Sequence, residues 1–227
     1  MSELGEDNPF SGRKRLSMKK KLVFQVALGA AGSSPLYRRC IRTVHEYCKR
    51  IGAEHFVLSE PRLKIAPNSY RSGRSPEATE RHGGFLPIFE KANAFDLLAD
   101  FETVSVIDAD IEVSEAAPDI FDFVPEGYSF AAVAERDLPS RGDYRKKIRS
   151  YSIAQFFSLV DQDWVWQKNL GARFHNMGVF VMRPSILPAM RAPSAAEFLL
   201  RPEFQRFVDG VGAWKWSTDQ ILLNYWL

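Results

Sequence analysis

Residues 22–28 read Leu-Val-Phe-Gln-Val-Ala-Leu, an almost unbroken apolar run that stops at Gly29 and Gly32. A run this apolar has no face to offer water, so it predicts an interior strand covered on both sides. The period then changes. After Ser33, Ser34 and Pro35, apolar residues fall at Leu36, Tyr37, Cys40, Ile41, Val44, Tyr47, Cys48 and Ile51, a three-and-four spacing that places them on one helical face. Gly52 supplies the stop signal, and residues 55–58 form a second short apolar run. Strand, helix and strand in this order make a βαβ unit.

The alternation continues. Ile88, Phe89, Ala92, Phe95 and Ala99 repeat the helical spacing after Pro87, and residues 103–107 are β-rich. Residues 129–134 and 178–182 read as two more interior strands, and residues 194–208 and 218–226 as helices, the first interrupted at Pro202. Residues 59–84 are polar and punctuated by Pro61, Pro67, Gly73, Pro76, Gly83 and Gly84, which predicts a long loop. The expected fold class is therefore α/β: one domain over residues 21–227 with a mostly parallel central sheet flanked by helices. Residues 1–20, rich in Ser, Gly, Lys and Arg and ending at the basic run Lys19, Lys20, Lys21, read as a loose tail. At 45% apolar and 26% charged over 227 residues, disordered, collagen-like and coiled-coil classes are excluded.

Thirty basic and 28 acidic residues leave a net charge of +2, too little to draw a whole protein onto nucleic acid. The basic tail allows at most a weak membrane-surface association. Residues 136–171 carry Arg136, Arg141, Arg145, Lys146, Lys147 and Arg149, then Tyr151, Phe156, Phe157, Trp164 and Trp166. Such a stretch could bind single strands, but the aromatics after Tyr151 also suit a helix packed on the core, so no nucleic-acid partner is expected. With residues 59–84, this stretch is a candidate for ligand selection, through Arg141, Arg145 and Lys146. Cys40 and Cys48 are the two cysteines. On one helix they lie about 12 Å apart, too far for a disulfide, so free thiols are expected. There is no run of 18 apolar residues and no secretory signal in the sequence, so the expected location is cytoplasmic.

The chemistry centres on Val106-Ile107-Asp108-Ala109-Asp110, two carboxylates at i and i+2 directly after a buried strand. Ligands of open α/β sheets bind at carboxyl strand ends. Two adjacent carboxylates repel unless a cation joins them, and oxygen-only ligation suits Mg²⁺ or Mn²⁺. Asp is also common in turns, so the pair alone is a weak motif.

Three further segments give the motif its weight. They are Phe89-Glu90-Lys91-Ala92-Asn93-Ala94-Phe95, His175-Asn176-Met177-Gly178-Val179-Phe180-Val181-Met182 and Thr218-Asp219-Gln220-Ile221-Leu222-Leu223-Asn224. Taken in this order with Asp108-x-Asp110, the sequence from about residue 22 to residue 227 resembles the family 8 retaining glycosyltransferases and their relatives. That resemblance implies a GT-A fold and transfer of a sugar from a nucleotide-sugar donor, such as a UDP-sugar, to a carbohydrate or other hydroxyl acceptor. It implies Asp108 and Asp110 as ligands of Mn²⁺ or Mg²⁺, with Ala109 between them at the donor. It implies Ala27, Leu28 and Gly29 beside the nucleotide, Lys91 at the sugar or diphosphate, and Asn176 and Gly178 at the sugars. Asp219 would hold sugar hydroxyls, and the Gln220 amide oxygen would support positive charge at the anomeric carbon.

One feature departs from the family. Relatives draw a third metal ligand, a histidine, from beyond the Asp-Gln helix, and no histidine follows that helix here, which suggests a C-terminal truncation or a substitute such as His175. Two other functions compete: a non-catalytic nucleotide-sugar or glycan binding module of the same fold, and a haloacid dehalogenase-type phosphohydrolase. The latter needs Thr or Val two residues after the second Asp, where this sequence has Glu112.

Overall fold

The structure is a computed structural model and describes residues 19–67, 84–138, 142–164, 166, 172–210, 214 and 219–227. Five strands form one sheet: β1 (Lys19–Val26), β2 (Glu54–Leu58), β3 (Phe101–Ile107), β4 (Phe130–Ala134) and β5 (His175–Met182), in the order β2-β1-β3-β5-β4. Every apolar run predicted as a strand is one. Lys19 and Lys20, assigned to the tail from their charge, belong to β1, because backbone pairing with β3 (Lys19 opposite Phe101) needs no apolar side chain. The other tail residues lie outside the described set.

The sheet is mixed: four strands share one direction, as expected of a mostly parallel sheet, and β5 alone runs against them. β1 runs parallel to β2 and β3, but β5 is antiparallel to both β3 and β4. Apolar runs report burial and carry no direction. Direction is set by where the chain comes back, and here the segment after β4 returns at the carboxyl edge of β3, so β5 starts there and runs the other way.

Both faces of the sheet are apolar, as the unbroken run in β1 requires. Leu22, Phe24, Val104, Val106, Phe180 and Met182 belong to one buried cluster, and Val23, Ile107 and Val181 to a second. The second is covered by α2 (Pro35–Ile51), whose Val44, Tyr47 and Cys48 pack on it. Ser34 caps this helix, its hydroxyl accepting the Tyr37 N–H at 3.2 Å, and Gly52 ends it in the left-handed region at φ 66°. Cys40 and Cys48 are buried free thiols, and burial pushes Cys48 up to about 12.

The first cluster is covered by α3 (Asn93–Leu97), α6 (Ala195–Leu199), α7 (Gln205–Asp209) and α8 (Asp219–Trp226). Pro202 breaks the predicted helix between α6 and α7. α1 (Gly29–Gly32) is a single turn, α4 spans Gly142–Phe156 and α5 spans Leu187–Met190. α4 starts in the basic stretch, earlier than the aromatic pattern suggested.

The helix expected after Pro87 opens as a 3₁₀ turn, Pro87–Ala92, before α3. Glu90 explains its burial there. Its carboxylate accepts the backbone N–H groups of Arg62, Leu63 and Lys64 at 2.9, 3.1 and 2.9 Å, and the Asn93 amide at 2.8 Å. A buried carboxylate is stable only when so satisfied, and this one fastens the loop after β2 beside the turn that carries Lys91.

His55 on β2 shares a hydrogen bond of 2.9 Å with the Gln25 amide oxygen, with the His45 ring 5.7 Å away. Burial, then His45, lower its pKa to about 4. Between pH 4 and 6.5 the unfolded chain therefore binds the extra proton, so this residue's contribution to stability rises with pH over that window. Because the ring is partly solvated, it amounts to about 1–2 kcal/mol. Urea titrations of the parent and His55→Gln at both pH values check this, the variant showing a flatter dependence.

Candidate functional site

The return of β5 decides the site. Because β5 begins at the edge where β3 and β4 end, His175, Asn176 and Gly178 lie beside Asp108 and Glu135. The Asp108 N–H donates to Gly178 O at 2.7 Å, and its carbonyl accepts from the buried Gln25 amide at 3.3 Å, so the strand end is fixed from both neighbouring strands.

Lys91 sits at the centre. Its ammonium lies 2.6 Å from Asp108 Oδ1 and 3.0 Å from Asp219 Oδ2, and donates to Met177 O at 3.1 Å. Burial pulls its pKa down, but Asp219 and Asp108 outweigh that and hold it above the usual lysine range. Three segments far apart in sequence, those of Lys91, Asp108 and Asp219, thus meet in one ion cluster.

Beside this cluster is a cleft of about 280 Å³ lined by Val26, Leu28, Tyr37, Pro87, Ile88, Lys91, Asp108, Ala109 and Asp110. Asp110 is exposed and Ala109 buried. Burial raises the Tyr37 phenol pKa, with Asp110 and then Asp108 adding to it, so both carboxylates act on this ring. Leu28 faces the cleft, whereas Ala27 is buried and donates its N–H to Leu58 O at 2.9 Å. Gly29 has φ 57°, and a Cβ on Gly32 would stand 2.4 Å from Ala27 O, so this strand exit depends on glycine at both positions. A wider groove of about 540 Å³ along α2, lined by Arg42, Glu46, Arg50 and Glu115 among others, shares no residue with the cleft.

Gly178 is required for a close approach. A Cβ there would stand 3.0 Å from both Asp108 Oδ2 and Asn176 Oδ1. Gly178→Ala should displace one of them and lower stability by about 1–3 kcal/mol, read as a drop in the urea midpoint.

A second cluster gathers on Glu135, a buried residue at the end of β4 that the sequence reading did not single out. Its carboxylate accepts the Asn176 amide at 2.9 Å, the Gln220 amide at 3.1 Å and the Tyr144 hydroxyl at 2.8 Å. The Tyr144 phenol is pushed up to about 12 by burial and then by Glu135. Asn176 is committed at both ends, since its Oδ1 accepts the Gly178 N–H at 2.8 Å. Gln220 spends its NH₂ on Glu135, and its amide oxygen is uncommitted among the described residues. An acidic residue closing an apolar strand was the available signal for Glu135, the same one that drew attention to Asp108. Nothing in the sequence marks Gln25, Tyr37 or Tyr144 as their neighbours.

A divalent cation fits the donor set in one respect. Asp108 and Asp110 offer oxygen ligands at the rim of the cleft, enough for an ion that takes its remaining ligands from phosphate and water. No group of three His, Cys, Asp or Glu side chains able to hold a metal occurs among the described residues. His175 does not join the pair: its Nδ1 faces Asn224 Oδ1 at 3.3 Å, and its backbone N–H donates to the same oxygen at 2.7 Å.

No protein-family model matches the sequence, and no curated protein does. Among solved structures, the chain is similar to a glycosyltransferase involved in the glycosylation of the major capsid of PBCV-1. The identity is 12%, over 82% of this chain and 77% of that one, with a TM-score of 0.41. An overlap that shallow assigns no role to any residue.

Proposed function

We propose that this protein transfers a sugar from a nucleotide-sugar donor to a hydroxyl acceptor, in the manner of a family 8-like retaining glycosyltransferase with a GT-A-type fold. The observation that carries the proposal is the buried Lys91 ammonium bridging Asp108 and Asp219 at a cleft whose rim bears Asp110. A lysine held charged beside two carboxylates, one of which opens onto a cleft, suits a polyanionic ligand that needs compensation at its phosphates and orientation at its sugar.

Asp108 and Asp110 are the residues that would hold Mn²⁺ or Mg²⁺. When bound, such an ion neutralises charge on a departing diphosphate. Leu28 and Tyr37 form walls on which the nucleoside rests. Lys91 donates to the donor phosphate or sugar while keeping Asp219 in place, and Asp219 accepts from sugar hydroxyls. Gln220, its NH₂ tied to Glu135, presents its amide oxygen to the positive charge that grows at the anomeric carbon. Asn176 and Glu135 position Gln220, and Gly178 lets β5 pass close to Asp108.

Calorimetric titration with UDP-, GDP- and ADP-sugars, with and without Mn²⁺, tests the proposal. One nucleotide should bind in a Mn²⁺-dependent way, and Asp108→Asn or Asp110→Asn should abolish that dependence with the circular dichroism spectrum unchanged. Equal titration curves for the parent and both variants overturn the assignment. Binding without turnover of donor by water or acceptor would favour the non-catalytic binding module.

A further inference from the structure

α4 carries a surface that the site does not use. Arg145, Lys146, Lys147 and Arg149 are all exposed, and none has an ion pair among the described residues; Asp143 is the one acidic residue on the helix. Ser152, Gln155 and Phe156 are its buried residues. At 100° per residue, Lys146, Ile153 and Phe157 fall within about 40° of one another on the outer side. The helical hydrogen bonding continues past the last turn, Phe157 N–H donating to Ile153 O at 2.9 Å.

Apolar side chains stand in water at that end. Phe157 is 77% exposed, Val160 98% and Trp166 42%, with the Phe157 and Trp166 rings edge to face at 6.5 Å. Leaving large apolar side chains solvated is unfavourable, and exposed apolar residues following unpaired cations on one element suit a surface that meets a charged apolar boundary.

We infer that the outer face of α4, with the Phe157, Val160 and Trp166 cluster, docks on an anionic lipid bilayer. The cations meet lipid phosphates, and the aromatic and aliphatic side chains enter the headgroup boundary. Charge complementarity selects this partner. Single-stranded nucleic acid wants aromatics interleaved along a basic groove, whereas here Phe157 and Trp166 meet beyond the basic part of the helix. No helix among the described residues is long and apolar enough to cross a membrane, so the contact is peripheral. Because Tyr144 on the same helix donates to Glu135, docking sets the Glu135 end of the site beside the bilayer.

Flotation of the full chain with phosphatidylcholine vesicles, with and without phosphatidylglycerol, tests the inference. The parent should float with the anionic vesicles only, less so as salt rises. Each neutralised cation should weaken binding roughly fivefold, so the Lys146→Gln, Lys147→Gln, Arg149→Gln triple variant should lose about a hundredfold. Phe157→Ser with Val160→Ser should remove the part of binding that survives high salt. Three results overturn the inference: no flotation of the parent with anionic vesicles; parental binding by the triple variant, which would assign attachment to the basic residues 13–21; or a charge-dependent affinity for an oligonucleotide that the vesicles do not share.

Discussion

Lys91→Met should lower the unfolding free energy by about 3–5 kcal/mol. The methionine fills much of the volume, so packing accounts for little of the loss. The cost is electrostatic: Asp219 is left buried without its counter-ion, and Asp108 loses its 2.6 Å contact while burial, then Asp219 and Asp110, still push its pKa upward. Chemical denaturation gives the number. Adding Asp108→Asn and Asp219→Asn to Lys91→Met should recover a substantial part of it, because the stranded charges are then gone. A Lys91→Met protein as stable as the parent would mean that the two carboxylates take up protons or water at no cost, and the ion cluster could not be what holds β3, β5 and α8 together at this edge.

Gln220→Ala should lower kcat by roughly 10² to 10³ with little change in donor affinity. In the proposed reaction the amide oxygen would face a charge that exists in the transition state and not in the bound donor, so its removal would be felt in turnover. The fold should tolerate the change, since Glu135 keeps Asn176 and Tyr144 as donors. Asp219→Asn should instead weaken binding and turnover together, because Asp219 pairs with Lys91 and, in the proposed reaction, would hold sugar hydroxyls. Steady-state kinetics with a directly measured donor affinity separate the two cases. Parental turnover in Gln220→Ala would withdraw the catalytic assignment even if Asp108 and Asp110 were shown to bind metal.

Glu90 and Glu135 show why some of the site could not be found in the sequence. Both are buried carboxylates, and a glutamate in a sequence carries no sign of whether water or backbone amides will satisfy it. Glu90 sits in a helical pattern, where charged residues usually face solvent, yet it turns inward to accept three amides from a loop 26 to 28 residues away. The pattern marked a helical segment, which proved to be a 3₁₀ turn at Glu90, and was silent about the contact.

Local periodicity alone determined the strands, the main helices, the coverage of both sheet faces and the strand-end position of Asp108 and Asp110. These follow from nearest-neighbour chemistry: a period of two or a continuous apolar run makes a strand, a period of 3.6 makes a helix, and a strand ends where the side chains become polar. Tertiary structure decided the direction of β5, and with it the site. The same eight residues would be equally apolar running either way, but only the antiparallel course brings Asn176 and Gly178 to the edge where β3 and β4 end. Only there does the Asp219 and Gln220 turn of α8 come within hydrogen-bonding distance of Lys91 and Glu135. Side-chain pattern records what each residue buries, while the return path of the chain, which no local pattern encodes, chooses the neighbours.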